Sequence, residues 1–243
     1  MASLVRAPRR LLVVSAHSAD FVWRSAGAIA TVTQQGGEAH VIALSYGERG
    51  ESGELWKEGG QTVERVKEIR HRESQTAADI LGATFESFDL GDYPLVVDAT
   101  AVDALTRAIC ARKPDVVVTH AQRDPFNPDH PIAYEAAFLA RQLASGSGVA
   151  SAFETIAPPE LLLFEPHQPE LCGFVPTTFL DITPVYDRKR AAMEAMGAQQ
   201  YLRQYYAERA EHRANHARRI SGRTDIRQAE AFQRDVPQVV SAL

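Results

Sequence analysis

Two short stretches carry the residue types that metal chemistry needs. The first is Ala16-His17-Ser18-Ala19-Asp20, and the second is Asp124-Pro125-Phe126-Asn127-Pro128-Asp129-His130. His17 and Asp20 are three residues apart and straddle the end of an apolar run. His130 closes a polar loop that follows another such run. Two imidazoles and one carboxylate can hold a divalent ion, and zinc with three protein ligands keeps a fourth position open for water or substrate. Non-haem Fe(II) uses similar ligands. Spacing alone leaves the bland readings open. A histidine at a strand end is commonly a hydrogen-bonded loop residue, and Asp129 can serve as a helix cap.

The elements around these stretches should bring them together. Leu11–Ala16, His40–Ser45, Thr84–Leu90, Asp115–His120, Leu161–Glu165 and Thr178–Thr183 are short apolar runs that read as strands. Between them, Ser25–Gln35, Val63–Leu81, Thr100–Arg112 and Ile132–Ala144 carry helical spacing, with Gly82 and Pro114 as stops. Tyr46–Gly60 and Ala121–Pro131 read as loops and Gly146–Pro159 as a connection. From Val185 to about Arg219 the pattern is helical and highly charged, and the remainder to Leu243 reads as a short helix and tail. The alternation predicts an α/β fold: a Rossmann-like, mostly parallel sheet with helices on both faces. We expect one domain over residues 1–243, with about 185–243 as a C-terminal helical extension. Ligands of such sheets bind beyond the carboxyl ends of the strands, where the strand order switches. That is where both stretches fall.

Composition removes several classes of function. The 243 residues include 26 Lys and Arg against 31 Asp and Glu, a net charge of -5, so a nucleic-acid partner is not expected. The basic start MASLVRAPRR leads into only about six apolar residues, which reads as a strand and not a signal peptide. No run approaches the roughly 18 apolar residues of a membrane span. A cytoplasmic location and a homo-oligomer are expected. Cys110 and Cys172 are the two cysteines, and they form neither a CxxC pair nor a disulfide framework. The turn after the first strand reads AHSADFVWRSAG, without GxGxxG, which argues against a nicotinamide cofactor.

The chain resembles the LmbE/PIG-L superfamily of zinc-dependent deacetylases. The matching pieces are VVSAHSAD (Val13–Asp20), SYGERG (Ser45–Gly50), RHRESQTAADILG (Arg70–Gly82), Asp124–His130, FLDIT (Phe179–Thr183) and AEAF (Ala229–Phe232). They lie in family order and span nearly the whole chain. The resemblance implies that His17, Asp20 and His130 bind Zn2+ or another divalent metal. His120 and Asp124 are expected to be partners of these metal ligands, whose imidazoles usually need a hydrogen-bond acceptor behind them.

Departures from the deacetylase pattern redirect the chemistry. Where the family usually has H-P-D-D-E, this chain has His17-Ser18-Ala19-Asp20-Phe21. The aspartate that acts as general base is Ala19, and a methyl group takes no proton. The usual H-P-D-H is Asn127-Pro128-Asp129-His130. In place of the missing base, Glu48 in Gly47-Glu48-Arg49-Gly50 is the expected acid–base group, because its loop follows the second strand. Its bland reading is a solvated loop glutamate. Arg49, Asn127 and His167 are the expected substrate-binding residues. Arg49 can fork onto a carboxylate, and His167 is boxed by prolines in FEPHQPE. Each of these two reads as readily as structural. His212 and His216, four apart in a charged helix, read as a solvated face.

The fuller set AHSADFVWR, LSYGERGES, DLGDYPL, DPFNPDHP, FEPHQPE and TFLDIT resembles one branch of the superfamily, the 4-oxalomesaconate (4-carboxy-2-hydroxymuconate) hydratases. That resemblance implies a hydro-lyase of gallate and protocatechuate breakdown. It would add water to a carbon–carbon double bond of an anionic tricarboxylate and yield 4-carboxy-4-hydroxy-2-oxoadipate. The rival readings are a zinc-dependent N-acetyl-sugar deacetylase and a non-catalytic metal-binding relative.

Overall fold

The structure is a computed structural model and describes residues 9–149 and 153–239. The first eight residues of the basic start, the middle of the 146–159 connection and the last four residues of the tail lie outside the described residues.

Seven strands form one sheet in the order β3-β2-β1-β4-β5-β7-β6. They are β1 (Arg10–Ser15), β2 (Glu38–Ala43), β3 (Thr84–Ser87), β4 (Val116–Thr119), β5 (Glu160–Phe164), β6 (Thr178–Asp181) and β7 (Ala229–Arg234). Neighbours from β3 through β5 pair in parallel, and β7 pairs antiparallel with both β5 and β6. The expected α/β sheet is therefore present. The order reverses between β1 and β4, and the two candidate stretches follow those strands.

Side-chain alternation along β1 divides the interior. Leu11 and Val13 pack into one buried cluster with α1 (Asp20–Gln34), α2 (Val63–Leu81) and α6 (Tyr186–Glu194). Leu12 and Val14 pack into the other with α3 (Ala99–Arg112) and α4 (Asp129–Ala144). A period of two turns successive residues to opposite faces, so a strand buried on both sides reads as continuously apolar.

Local chemistry fixes the helix ends. The Thr62 hydroxyl accepts from Arg65 N at 3.2 Å and caps α2, and Gly82, at φ +70°, ends it in the left-handed region. Asp98 caps α3 through Ala101 N at 2.8 Å. Two helices begin earlier than their apolar periodicity suggests. Helix α1 starts at Asp20, not Ser25, and α4 at Asp129, not Ile132. The polar first turn of α4 carries no periodic signal, and in α1 the continuous apolar run Phe21-Val22-Trp23 masks the helical period. Strand β3 stops at Ser87, short of Leu90, as the chain turns through Asp89 at φ +54°.

The C-terminal reading needs one correction. After the single turn α5 (Pro169–Cys172), residues 183–221 are helical, but in pieces: short 3-10 turns, α6, and α7 (Leu202–Ser221). Ala229–Arg234, expected as helix and tail, is β7, inserted between β5 and β6. Its four-residue buried stretch is too short for periodicity to separate strand from helix. From β7, the buried Glu230 carboxylate accepts from Gly27 N and Ala28 N inside α1, each at 2.8 Å. Lys189 Nζ, on α6, pairs with Glu230 at 2.7 Å and donates to Trp23 O at 3.0 Å. The C-terminal segment thus holds α1, the helix that presents Asp20.

Candidate metal centre and active-site cleft

His17, Asp20 and His130 come together. Each is buried, and one ligand atom from each lies within 4.8 Å of the others. The turn after β1 closes when Asp20 Oδ2 accepts the His17 backbone N–H at 2.8 Å. That contact fixes His17 and Asp20 on one side of the cleft. The start of α4 brings His130 to the other.

Each imidazole is oriented from behind. His17 Nε2 meets Asp129 Oδ2 at 3.1 Å, and His130 Nδ1 meets Asp124 Oδ2 at 2.8 Å. The opposite nitrogens, His17 Nδ1 and His130 Nε2, are buried without a hydrogen-bond partner. Buried polar atoms are rarely left unpaired. Two such nitrogens beside a carboxylate, each backed by a second carboxylate, form the donor set of a catalytic zinc site. The residues fit a divalent cation.

The electrostatics of the two imidazoles differ, and a cation at this site would have to displace a proton from His17. Burial alone would lower the His17 pKa, but Asp129 and Asp20 hold it up at about 10. Burial, His120 and Arg24 together push His130 well below the ordinary range, which favours the neutral ring a metal needs. Burial would raise Asp20, yet His120 and Arg24 hold it well below the ordinary carboxylate range. Burial lowers His120 to about 4 despite Asp20 beside it. His120 partners the candidate ligand Asp20 and stands behind neither imidazole. Its Nε2 lies 2.9 Å from Ala16 N and 3.3 Å from Asp20 Oδ2, and its ring stacks on His130 at 4.1 Å. Asp124 does take the expected place.

The triad opens into a cleft of about 240 Å³. His167 and Asn127 line it; Glu48 and Arg49 do not. The reason lies in the loop after β2. Asp92 accepts from Arg49 N at 2.9 Å and from Gly50 N at 2.7 Å, and Arg49 Nη1 donates to Asp92 O at 3.3 Å. This turns Glu48 inward beneath the loop, near Lys67 at 3.8 Å. Its carboxylate is fully buried, without a hydrogen-bond partner, and burial raises its pKa. A Cβ at Gly50 would sit 2.2 Å from the Tyr93 ring, so only glycine allows this close approach.

The turned loop delivers Glu51 into the cleft. Asn127 Nδ2 donates to its Oε1 at 2.8 Å and Gln199 Nε2 to its Oε2 at 3.0 Å. Gln199 Oε1 in turn accepts from Trp23 Nε1 at 3.1 Å and from the buried Arg70 at 3.2 Å. Sequence reasoning missed Glu51, although it lies in the quoted LSYGERGES. The signal was Asp92 in DLGDYPL, which determines the path of the loop. Asp129, weighed as a helix cap, instead accepts from Tyr93 N at 3.0 Å and Leu95 N at 2.9 Å while holding His17. His167 packs its ring on Tyr205 at 4.0 Å, and burial lowers its pKa. His212 and His216 lie on α7, away from the cleft lining.

The profile of the PIG-L family, GlcNAc-PI de-N-acetylase, matches residues 12–141, which include all three metal-site residues. The chain belongs to the PIG-L family. A 4-oxalmesaconate hydratase of Pseudomonas putida is 45% identical to it over 96% of this chain and 91% of its own length. The crystal structure of GalB, the 4-carboxy-2-hydroxymuconate hydratase of Pseudomonas putida KT2440, superposes with a TM-score of 0.94 at 44% identity. It covers 97% of this chain and 99% of that one. A 1D-myo-inositol 2-acetamido-2-deoxy-alpha-D-glucopyranoside deacetylase of Rhodococcus jostii is 30% identical, over 79% of this chain and 82% of its own. Ala19 stands between His17 and Asp20, where the resemblance led us to expect an aspartate. Its methyl is buried in the apolar core that packs α1.

Proposed function

We propose that this protein is a zinc-dependent hydratase that adds water to the carbon–carbon double bond of 4-oxalomesaconate (4-carboxy-2-hydroxymuconate). The observation that carries the reading is the 45% identity to a 4-oxalmesaconate hydratase along 96% of the chain. The deacetylase likeness is weaker in identity and extent. Position 19 also offers no carboxylate to activate water for amide hydrolysis.

His17, Asp20 and His130 would hold the metal, which when bound supplies a Lewis acid for an oxo or carboxylate oxygen of the substrate. Asp129 and Asp124 keep the two imidazoles in the tautomers that leave Nδ1 and Nε2 free for that ion. Glu51 takes the acid–base role in place of Glu48, because its carboxylate is the one that lines the cleft. Asn127 and Gln199 grip its two oxygens and so fix its direction. A positioned carboxylate of this kind contributes about a hundred- to ten-thousandfold to a proton transfer. His167 is placed to hydrogen-bond a substrate carboxylate. No helix among the described residues is long and apolar enough to cross a membrane, and we place the reaction in the cytoplasm.

The test is to follow the ultraviolet absorbance of the conjugated substrate with zinc-loaded protein. Hydration breaks the conjugation, so the absorbance should fall. A stable absorbance, with acetate released from N-acetyl sugars instead, would establish the deacetylase reading.

A further inference from the structure

We propose that Arg24 is the residue that anchors a carboxylate of the substrate beside the metal centre. The proposal rests on the hydratase reading, whose substrate carries three carboxylates. A tricarboxylate entering a cleft lined by Asp20, Glu51 and Asp124 meets like charge on several sides. Among the described residues, Arg24 is the single Lys or Arg that lines this cleft.

Its neighbours show why it is available. Arg24 lies one turn after Asp20 on α1, so both side chains share a face. Nη2 lies 3.8 Å from Asp20 Oδ1, too far for a hydrogen bond, and Nη1 lies 3.2 Å from His120 Nδ1. The Tyr206 hydroxyl beside it is a neutral partner, because burial raises that phenol's pKa. Nε is buried and has no partner. The guanidinium rests over the Phe164 ring at 5.7 Å, which holds the plane of the fork. The guanidinium is thus charge-compensated by Asp20 but keeps N–H donors that no carboxylate accepts. A cation held by Asp20 would draw on the same carboxylate and leave Arg24 still less neutralised. A ligand carboxylate would supply the missing acceptor, and guanidinium takes carboxylates through two parallel hydrogen bonds.

Other cations nearby do not line the cleft, and most of them are held by carboxylates. Arg70 is held by Glu73 at 2.9 Å and by Gln199. Lys67 pairs with Asp89 at 2.6 Å. Arg209 and Arg213 both close on Glu165. Arg49, the expected clamp, does not line the cleft, and its Nη1 donates to the Asp92 backbone carbonyl at 3.3 Å.

Calorimetric titration of zinc-loaded protein with two probes tests the assignment. Tricarballylate carries three carboxylates. Acetohydroxamate binds a metal and carries none. Arg24→Gln should weaken tricarballylate by about 10- to 150-fold, the range for lost hydrogen bonds to a charged group. Acetohydroxamate should stay within about threefold, and Arg24→Lys should recover part of the tricarballylate affinity, because Lys keeps the charge without the fork. Equal weakening of both probes, or unchanged tricarballylate binding, would overturn the proposal. If Arg24→Gln does not retain zinc, Arg24→Lys decides by the same two probes; loss of zinc from both variants would make Arg24 a structural support of Asp20 and overturn the anchor. Turnover of 4-oxalomesaconate by the unaltered protein is measured separately. A protein that binds tricarballylate through Arg24 but does not hydrate the conjugated substrate retains the anchor and loses the hydratase reading.

Discussion

Asn127 Nδ2 donates to Glu51 Oε1 at 2.8 Å, so the residue that departs from the deacetylase H-P-D-H pattern holds the carboxylate that faces the cleft. The amide also accepts from Asp129 N at 3.1 Å, which fixes its orientation with the amino group toward Glu51. A histidine at position 127 would have to present an N–H in the same direction to do this. We expect Glu51→Gln to retain zinc and fold while lowering turnover about a hundredfold or more, since glutamine exchanges no proton at neutral pH. Asn127→Ala should cost less, because Gln199 still grips the other oxygen. Steady-state kinetics beside zinc content would show it; near-normal turnover of a zinc-loaded Glu51→Gln protein would remove Glu51 from the mechanism.

Glu48 should behave in the opposite way. Burial raises its folded-state pKa above the ordinary value of 4.5. The unfolded chain therefore releases this proton first. The favourable contribution of the neutral carboxyl is present below pH 4.5 and is lost as pH rises through the folded-state pKa. Glutamine cannot ionise, so Glu48→Gln should melt higher than the unaltered protein at about pH 8, with the gap narrowing as the pH falls towards the ordinary carboxylate range. Turnover should change only a few-fold. Thermal melts across that pH range, read beside kinetics, check both halves. A hundredfold loss of turnover with zinc retained would return the acid–base role to Glu48.

The carboxylates behind the imidazoles should govern metal affinity. Asp129→Asn and Asp124→Asn keep nearly the same shape, and the amide oxygen introduced at position 129 could still accept from the Tyr93 and Leu95 amides. An amide supports the ring less strongly than a carboxylate. Each change should weaken zinc by about 10- to 100-fold. Competition against a chromophoric chelator measures this directly. Unchanged affinity in both variants would mean that the imidazoles need no such support.

The clustering of the candidate metal residues is partly legible because two of them follow β1, where an apolar run stops at a polar residue. His17 and Asp20 announce themselves in this way, and His130 by closing the polar loop between β4 and α4. Glu51 did not, because which of two glutamates in one loop faces the cleft is decided by Asp92, some forty residues away. Arg24 was hidden for a related reason: the reading began α1 at Ser25, and only a helix starting at Asp20 puts Arg24 one turn beyond a metal-site residue. Strand β7 escaped notice because its partners, β5 and β6, are distant in sequence and its alternation is brief. Periodicity reports local burial, whereas these features depend on long-range contacts.

Gly27 gives the sharpest test of how the C-terminal segment holds α1. Helix propensity alone predicts that Gly27→Ala stabilises the protein by about 1 kcal/mol. Packing predicts the reverse. A Cβ there would lie 2.5 Å from Ile182 Cγ2 and 2.9 Å from Glu230 Cδ, and Glu230 is itself fixed by two α1 amides and Lys189. Overpacking of this kind typically costs about 1–3 kcal/mol, and displacing Glu230 also uncovers a buried Lys189. The net effect should be destabilisation, with the melting temperature falling by about 2–4 °C for each kcal/mol. Gly53→Ala, where a Cβ meets nothing within 4 Å, is the control and should leave the melt unchanged. Because α1 carries Asp20, Gly27→Ala should also weaken zinc binding. A Gly27→Ala protein that melts higher and holds zinc as tightly would show that α1 does not depend on the Glu230 contact.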